Sequence, residues 1–225
     1  MTDYVEELAT ERKMKDRFMA GHVESPFVTD RVPGFSGLRY FPIASRYLVT
    51  ARLERLSTPQ EAFLRTNRDG QAVVRYLGDL SFRLAGQALR LRLYHAGEGV
   101  GTSVFVPFRD VTSGRESYGP GRYVTLELNE SDVYEIDFNR AFNPYCAYTD
   151  SYECAFAPAE NDLPVPIRAG EKIWSADRNP TSPTDAVLSQ RRRPVAARKP
   201  AATARRPTKK APRPRKAARR KSTRR

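Results

Sequence analysis

The sequence predicts a mainly β protein, an antiparallel β-sandwich or barrel, with an N-terminal helix and a disordered basic tail. Three observations support this prediction. Apolar and polar residues alternate along short runs between residues 46 and 138. Turn-forming residues separate these runs at intervals of about ten residues, and no helical pattern lies between them. The last part of the chain, residues 191–225, contains no acidic and no aromatic residue.

The N-terminal helix is predicted over the first twenty residues. Asp3, followed by Glu6 three positions later, is typical of a capping box at a helix start. Gly21 and the prolines after it end the pattern. The apolar residues of this stretch partly share one helical face: Val5, Leu8, Met14 and Phe18.

Seven or eight short strands are expected from the alternating runs. The turns between them are clearest at residues 67–70, which read Asn-Arg-Asp-Gly, and at residues 85–87. After Phe138 the alternation stops, and residues 139–173 are predicted to form a long ordered loop, a feature that is often functional. The candidate strands are 47–53, 62–66, 72–76, 80–84, 89–93, 102–108, 122–128 and 133–138.

The charge of the chain is unevenly distributed. The 225 residues include 39 Lys and Arg against 26 Asp and Glu, a net charge of +13. Seventeen of the basic residues lie in positions 191–225, which leaves 22 basic against 26 acidic residues, a net charge of −4, for positions 1–190. We therefore predict a globular domain (1–176), a linker (177–190) and a disordered basic tail (191–225) rich in Lys, Arg, Ala and Pro.

The composition excludes several classes of protein. No run approaches the roughly 18 to 20 apolar residues that a membrane-spanning helix needs, and the acidic N-terminus is unlike a signal peptide. The 11 Tyr, 11 Phe and one Trp exclude a wholly disordered chain. Only two cysteines are present, which excludes a disulfide scaffold and fits a reducing compartment. We expect a cytoplasmic protein.

The basic tail favours binding to nucleic acid. Lys and Arg on a flexible arm neutralise phosphates without reading the base sequence. DNA is favoured over RNA as the partner, with association with the nucleoid as a further expectation. Ribosomal RNA, an anionic membrane face or an acidic protein remain alternatives. The predicted nucleic-acid-binding residues are Arg191, Arg192, Arg193, Arg205, Arg206, Lys209, Lys210, Arg219, Arg220 and Lys221.

Polar residues are dense between positions 110 and 171, and two interpretations are open. In the first, Arg122 and Arg140 bridge the carboxylates of Asp110, Glu116 and Asp137 and pin the loops to the sheet. In the second, these three carboxylates are catalytic, as acid/base groups or metal ligands. The domain would then be an enzyme, a hydrolase or isomerase that acts on a small polar or anionic molecule. The ligand-binding residues of that enzyme would be Arg122, Tyr118, Asn139, Arg140, Asn143, Glu160 and Asn161.

No cofactor or particular metal is indicated by a motif. Cys146 and Cys154 lie eight positions apart, too far for a Cys-x-x-Cys redox motif, and with two histidines they are too few for a zinc site unless carboxylates join. Three interpretations of the pair remain open. The cysteines are buried thiols, one of them is reactive, or they form a disulfide in an oxidising compartment.

Two blocks of sequence resemble a known family. They are VPFRDVTSGRESYGPGRY at 106–123 and DFNRAFNPYCAY at 137–148, with further matches at Cys154, at 160–161 and at 167–172. They resemble the prokaryotic family catalogued as domain of unknown function 1684, over about residues 15–174. Residues 155–158 read Ala-Phe-Ala-Pro where that family usually has Pro-Leu-Pro-Pro. The resemblance implies domain boundaries and a cytoplasmic prokaryotic setting but no reaction, and the basic tail is not part of it.

Overall fold

The computed structural model describes residues 2–27, 35–96 and 103–174; the predicted linker and basic tail lie outside these ranges. The sheet is antiparallel, with the strand order β5-β4-β3-β2-β1-β6. Its edge strands β5 and β6 approach each other, so the sheet curls into a nearly closed barrel, and the predicted fold class is confirmed. The elements are α1 (Thr2–Gly21), β1 (Leu48–Arg65), β2 (Gln71–Leu84), β3 (Gln87–Ala96), β4 (Ser103–Phe108), β5 (Arg122–Glu127) and β6 (Val133–Asp137).

Two strands are longer than predicted, so the described residues form six strands and the expected seven or eight is wrong. The runs 47–53 and 62–66 join in β1, and the runs 72–76 and 80–84 join in β2. The middle of β1 has mostly exposed side chains, so no buried face maintains the alternation there, although the strand continues. The register between β1 and β2 shifts in this region. At Gly78 a Cβ atom would lie 2.3 Å from the carbonyl oxygen of Glu54, so only glycine fits.

The hydrophobic core fills the barrel and receives side chains from all six strands. The rings of Phe108 and Phe138 meet edge to face at its centre, with centroids 5.1 Å apart. Each fully buried side chain of this kind contributes roughly 1.5–3 kcal/mol through removal of apolar surface from water. Six core side chains from the strands have no exposed surface: Leu80, Leu91, Leu93, Val106, Phe108 and Ile136.

The segment after β6 also contributes to this core, contrary to the prediction that alternation ends at Phe138. Every second residue from 161 to 169 is buried and the residues between them are exposed. The backbone is held by Arg109, whose N–H donates to Asn161 O (2.9 Å) and whose carbonyl accepts from the N–H of Leu163 (2.8 Å). Residues 139–173 contain no α-helix or β-strand, so the predicted ordered loop is confirmed; what the prediction missed is that residues 161–171, which we call the extended segment, are packed into the core. The buried residues of its alternating part are Asn161, Leu163, Val165, Ile167 and Ala169.

Helix α1 packs on the barrel through a partly polar face. It ends at Gly21, as predicted, but it begins at Thr2, so Asp3 lies in its first turn and not at the cap. Val5 and Met14, which were expected on the packed face, are exposed. The positions that pack recur every three or four residues, as a helix requires. They are Tyr4, Leu8, Arg12, Lys15 and Met19.

Candidate functional site

Asp110 and Arg122 form an ion pair inside the barrel. Phe108, at the end of β4, pairs with Arg122 at the start of β5, which brings Asp110 beside the arginine. Arg122 Nη2 lies 2.9 Å from Asp110 Oδ2, and the two side chains are 1% and 0% exposed. Two charges removed from water in this way must compensate each other. The predicted bridge between these two residues is confirmed.

The guanidinium of Arg122 also donates hydrogen bonds to backbone carbonyls of the extended segment. It donates to the carbonyls of Ile167 (2.8 Å), Glu171 (3.0 Å) and Ala169. Burial lowers the pKa of Arg122, and the charge of Asp110 opposes this effect. Because residues 167–171 belong to no strand of the sheet, the arginine supplies donors that a neighbouring strand would otherwise provide. The pair thus holds the extended segment in the barrel.

Glu116 lies on the surface and is paired with Arg168. Its carboxylate accepts from Nε (3.0 Å) and Nη2 (2.8 Å) of that arginine, and this hydrogen bonding lowers the pKa of Glu116. The predicted bridge from Glu116 to Arg122 or Arg140 is therefore wrong, because Arg168 from the extended segment reaches it. Glu160 is a second surface carboxylate, 2.9 Å from Arg92 Nη1.

Asp137 joins the end of β6 to helix α1. Its Oδ2 accepts from the Tyr4 hydroxyl (2.9 Å) and from Arg140 Nη1 (3.1 Å), so the predicted bridge to Arg140 is confirmed. Its Oδ1 accepts from the backbone and the side-chain amide of Asn139 (2.9 and 3.0 Å). Burial and the carboxylate of Asp137 raise the pKa of Tyr4 to about 12. Arg140 also reaches two helix carboxylates, one of them Glu11 at 2.8 Å.

The other predicted ligand residues lie apart from one another. Asn161 is fully buried, where its amide donates to Pro107 O (2.7 Å) and accepts from the N–H of Arg92 (2.7 Å). The Tyr118 hydroxyl lies 3.7 Å from Cys146 Sγ. The three predicted catalytic carboxylates have three different arginine partners: Arg122 for Asp110, Arg168 for Glu116 and Arg140 for Asp137. Their catalytic roles stay a prediction.

A groove of about 200 Å³ lies between α1 and the barrel, and we call it the helix groove. It contains two of the predicted ligand residues, Asn139 and Arg140. Residues of α1 form one wall, and the segment after β6 forms the other. The lining residues are Leu8, Glu11, Arg12, Lys15, Tyr40, Asn139, Arg140, Ala141, Phe142 and Glu171.

Polar atoms that lack partners are buried in the helix groove. Within the described residues, the Tyr40 hydroxyl and Arg12 Nε have no hydrogen-bond partner, although both atoms are inaccessible to water. The Arg12 guanidinium lies 4.5 Å from the Tyr40 ring centroid. Burial, and the nearby charge of Glu171, raise the pKa of Tyr40. Unpaired buried polar groups of this kind are uncommon in folded proteins.

Glu171 is the buried carboxylate of the groove, with 1% of its surface exposed. It lies 2.6 Å from Lys15 Nζ and accepts the N–H of Asn143 (2.8 Å) and the hydroxyl of Tyr148. Tyr148 is itself partly buried, and loss of solvent around its hydroxyl raises its pKa. The Glu171 side chain therefore ties the end of the extended segment both to α1 and to the block that begins at Asp137.

Residues 33–172 match the model of a family described as a protein of unknown function (DUF1684). The chain belongs to this family. The match covers most of the described residues and confirms the resemblance found in the two sequence blocks. A similar solved structure is the solution NMR structure of an uncharacterised protein from Haloarcula marismortui, with 35% identity and a TM-score of 0.61. The similarity covers 76% of this chain and 95% of that one. A comparison with curated proteins finds no match.

Two further observations concern this DUF1684 domain. Across residues 2–27, 35–96 and 103–174, no three His, Cys, Asp or Glu side chains are grouped so that they could hold a metal ion. The same residues contain no helix that is long and apolar enough to cross a membrane.

Sequence reasoning about this DUF1684 chain missed the groove residues of helix α1. Arg12 and Lys15 lie on the packed face together with Leu8, at spacings of four and three residues. That spacing is present in the sequence, but the predicted packed face rested on the apolar residues alone. Tyr40 and Glu171 form a backbone bridge with each other but lie 131 positions apart in the chain. No local sequence pattern therefore predicts that they meet in the groove.

Proposed function

We propose that this DUF1684 chain binds nucleic acid through its basic tail, and that the tail thereby tethers the β domain to the nucleic acid. The observation that supports this is the separation of charge along the chain. Residues 191–225 carry 17 positive side chains and no negative one, whereas residues 1–190 have a net charge of −4. The acidic domain repels a phosphate backbone, and the tail attracts it.

Binding of this kind rests on the release of counterions from the phosphates. The tail has no aromatic residue to stack on bases, and its Lys and Arg are spread between prolines. Phosphate contacts position a protein on the duplex and carry no sequence information. Double-stranded DNA has a higher charge density than single-stranded nucleic acid, and it is the proposed partner. In a prokaryotic cell this DNA is the nucleoid.

Tail variants of the full-length chain test this proposal. Changing the ten predicted binding residues (191–193, 205, 206, 209, 210 and 219–221) to glutamine should weaken duplex DNA binding at least about 100-fold at 50 mM salt. Fluorescence anisotropy with a labelled duplex gives the affinity.

A shuffled tail is the matched control. It keeps the composition of residues 191–225 in a new order, and it should bind within about twofold of the natural chain because only charge density matters. Loss of binding in the shuffled variant would show that sequence within the tail is recognised. Unchanged binding of the glutamine variant would place the interaction elsewhere.

A second candidate function is the binding of a small polar molecule in the helix groove. It is favoured by the buried hydroxyl of Tyr40 and by the neighbouring Arg12 Nε, neither of which has a hydrogen-bond partner in the part of the chain that the structure describes. A ligand with both donor and acceptor groups would satisfy these atoms and could reach the Lys15–Glu171 pair. The role predicted for Asn139 and Arg140 as ligand residues is kept in this proposal.

Replacing Tyr40 by phenylalanine tests the groove. The hydroxyl has no partner among the described residues, so Tyr40→Phe should leave the free energy of unfolding unchanged or slightly higher. The control is Tyr4→Phe, which loses the bonds to Asp137 and Asn139 and should cost roughly 1 kcal/mol.

Ligand binding is measured by thermal-shift screening with small carboxylates, phosphates, sugars and amines. A compound present at 100 times its Kd stabilises the folded state by about 2.7 kcal/mol. The shift should disappear in Tyr40→Phe and persist in Tyr4→Phe. A shift that persists in Tyr40→Phe, or a Tyr40→Phe variant that is less stable than Tyr4→Phe, would contradict the groove assignment.

A further inference from the structure

The two cysteines of the chain meet in space at the base of a tight loop. Both are free, and they are the whole cysteine content of the chain. The backbone N–H of Cys146 donates to Cys154 Sγ at 3.4 Å. The block around Cys146 forms a short 3-10 turn (Tyr145–Ala147), and the chain returns through the mostly exposed residues 150–153 to bring Cys154 back against that turn.

Independent contacts hold each cysteine in this position. The backbone N–H of Cys154 donates to Asn67 Oδ1 at 2.8 Å, which anchors it to the turn between β1 and β2. Cys146 is buried, and its sulfur lies 3.7 Å from the Tyr118 hydroxyl. Cys154 is partly exposed. Cys154 is thus the more exposed residue of the pair.

The surroundings of the two sulfurs differ in a way that separates their chemistry. A hydrogen bond from the Cys146 thiol, together with the backbone N–H groups of Cys146 and Tyr145, lowers the pKa of Cys154 to about 7. The same contact and burial raise the pKa of Cys146. A thiolate is the nucleophilic form of cysteine, so near neutral pH the more exposed cysteine is also the activated one.

We propose that Cys154 and Cys146 are a peroxide-reactive pair, in which Cys154 is the attacking cysteine and Cys146 the resolving cysteine. In the first step the Cys154 thiolate attacks one oxygen of hydrogen peroxide. The O–O bond breaks, a sulfenic acid forms on Cys154, and hydroxide leaves and takes up a proton to become water. The sulfur loses two electrons, and the peroxide gains them.

In the second step the Cys146 sulfur attacks the sulfenic sulfur of Cys154. The S–S bond forms, the S–O bond breaks, and the leaving oxygen takes the Cys146 proton and departs as water. Two thiols and one peroxide therefore give one disulfide and two waters. The resulting disulfide closes the loop between positions 146 and 154, and a thiol reductant reverses it.

Oxidation of the reduced full-length chain tests the pair. After treatment with hydrogen peroxide, free thiols should fall from two to none, and the intact mass should fall by two hydrogen atoms. Peptide mapping without reductant should recover residues 146 and 154 in one linked product, and dithiothreitol should restore both thiols. The rate should rise with pH through about pH 7 and level off above it, because the Cys154 thiolate is the reactive species.

Single serine variants separate the two roles. Cys146→Ser should still react and should accumulate a sulfenic acid that dimedone traps on Cys154. Cys154→Ser should react at least about tenfold more slowly, because the remaining thiol is buried and protonated. Dimedone labelling of Cys146, equal rates in the two variants, disulfide-linked dimers, or a natural chain that retains both thiols would each overturn the proposal. The measurements on the natural chain decide it even if a variant fails to fold.

Discussion

Replacing Arg122 by methionine is expected to lower the free energy of unfolding by about 3–5 kcal/mol. The substitution removes a guanidinium that is 1% exposed and leaves the fully buried carboxylate of Asp110 without its charge partner. Three buried carbonyls, of Ile167, Ala169 and Glu171, lose their donor in the same step. Each uncompensated polar group adds a penalty of roughly 1–3 kcal/mol, so the loss is large for a domain whose total stability is of the order of 5–15 kcal/mol.

Urea unfolding followed by tryptophan fluorescence measures this change. The single tryptophan, Trp174, packs against the ring of Phe27 with centroids 5.0 Å apart and therefore reports on the folded state. The matched control is Arg168→Met, which breaks the solvent-exposed ion pair with Glu116. That change should leave the unfolding midpoint almost where it was, because exposed pairs contribute little. Equal effects of the two arginine substitutions would contradict the role assigned to Arg122.

Some of the ion pairs could be predicted from the sequence and others could not. The requirement that charges among apolar strands be paired predicted the Arg122–Asp110 and Arg140–Asp137 bridges, and both are present. It failed for Glu116, whose partner Arg168 lies 52 positions away in a segment that was expected to be a loop. The spacing of Glu116 and Arg168 in the sequence does not identify them as partners, because the pairing depends on where the segment that carries Arg168 lies in the fold.

The strands were predictable where one face of the sheet is buried. Period-two alternation indicates half-buried strands, and it identified the antiparallel β class and the turn at residues 85–86, where Ala85 and Gly86 both have positive φ. The alternation fades in the middle of β1, where the pairing with β2 shifts register between Arg55 and Gln60 and most side chains are exposed. Six strands therefore looked like seven or eight.

The interior of the barrel was less predictable than its strands. Leu163, Val165 and Ile167 alternate with prolines and charged residues, and such residues are read as loop by any scale of propensity. The segment does lack regular secondary structure, and what such scales miss is its burial in the barrel, with Arg122 as a hydrogen-bond donor. Tertiary partners from distant parts of the chain decide this conformation, as they decide the position of Glu171 in the helix groove.

The second prediction concerns the strength of nucleic-acid binding. If about 6 to 10 of the tail's cations contact phosphates at once, the affinity of the full-length chain for duplex DNA should fall roughly 10³ to 10⁵-fold between 50 and 200 mM salt. The tail carries 17 cations, so this number of simultaneous contacts leaves some of them free. The effect should be the same for duplexes of unrelated sequence, since phosphates are common to all of them.

The acidic domain provides a further check on this expectation. Residues 1–190, which have a net charge of −4, repel DNA, and salt screens this repulsion. Removal of tail charges should therefore not tighten DNA binding at any salt concentration. A chain whose domain bound bases directly would retain a salt-insensitive component and a preference among sequences.

The most direct test of the division between domain and tail is therefore a salt series with the full-length chain and two unrelated duplexes. The logarithm of the binding constant, plotted against the logarithm of the salt concentration, should give a straight line with a slope of about −5 to −9 for both duplexes. A slope shallower than about −2, or affinities that differ more than about tenfold between the duplexes, would contradict a polycationic tail as the binding element.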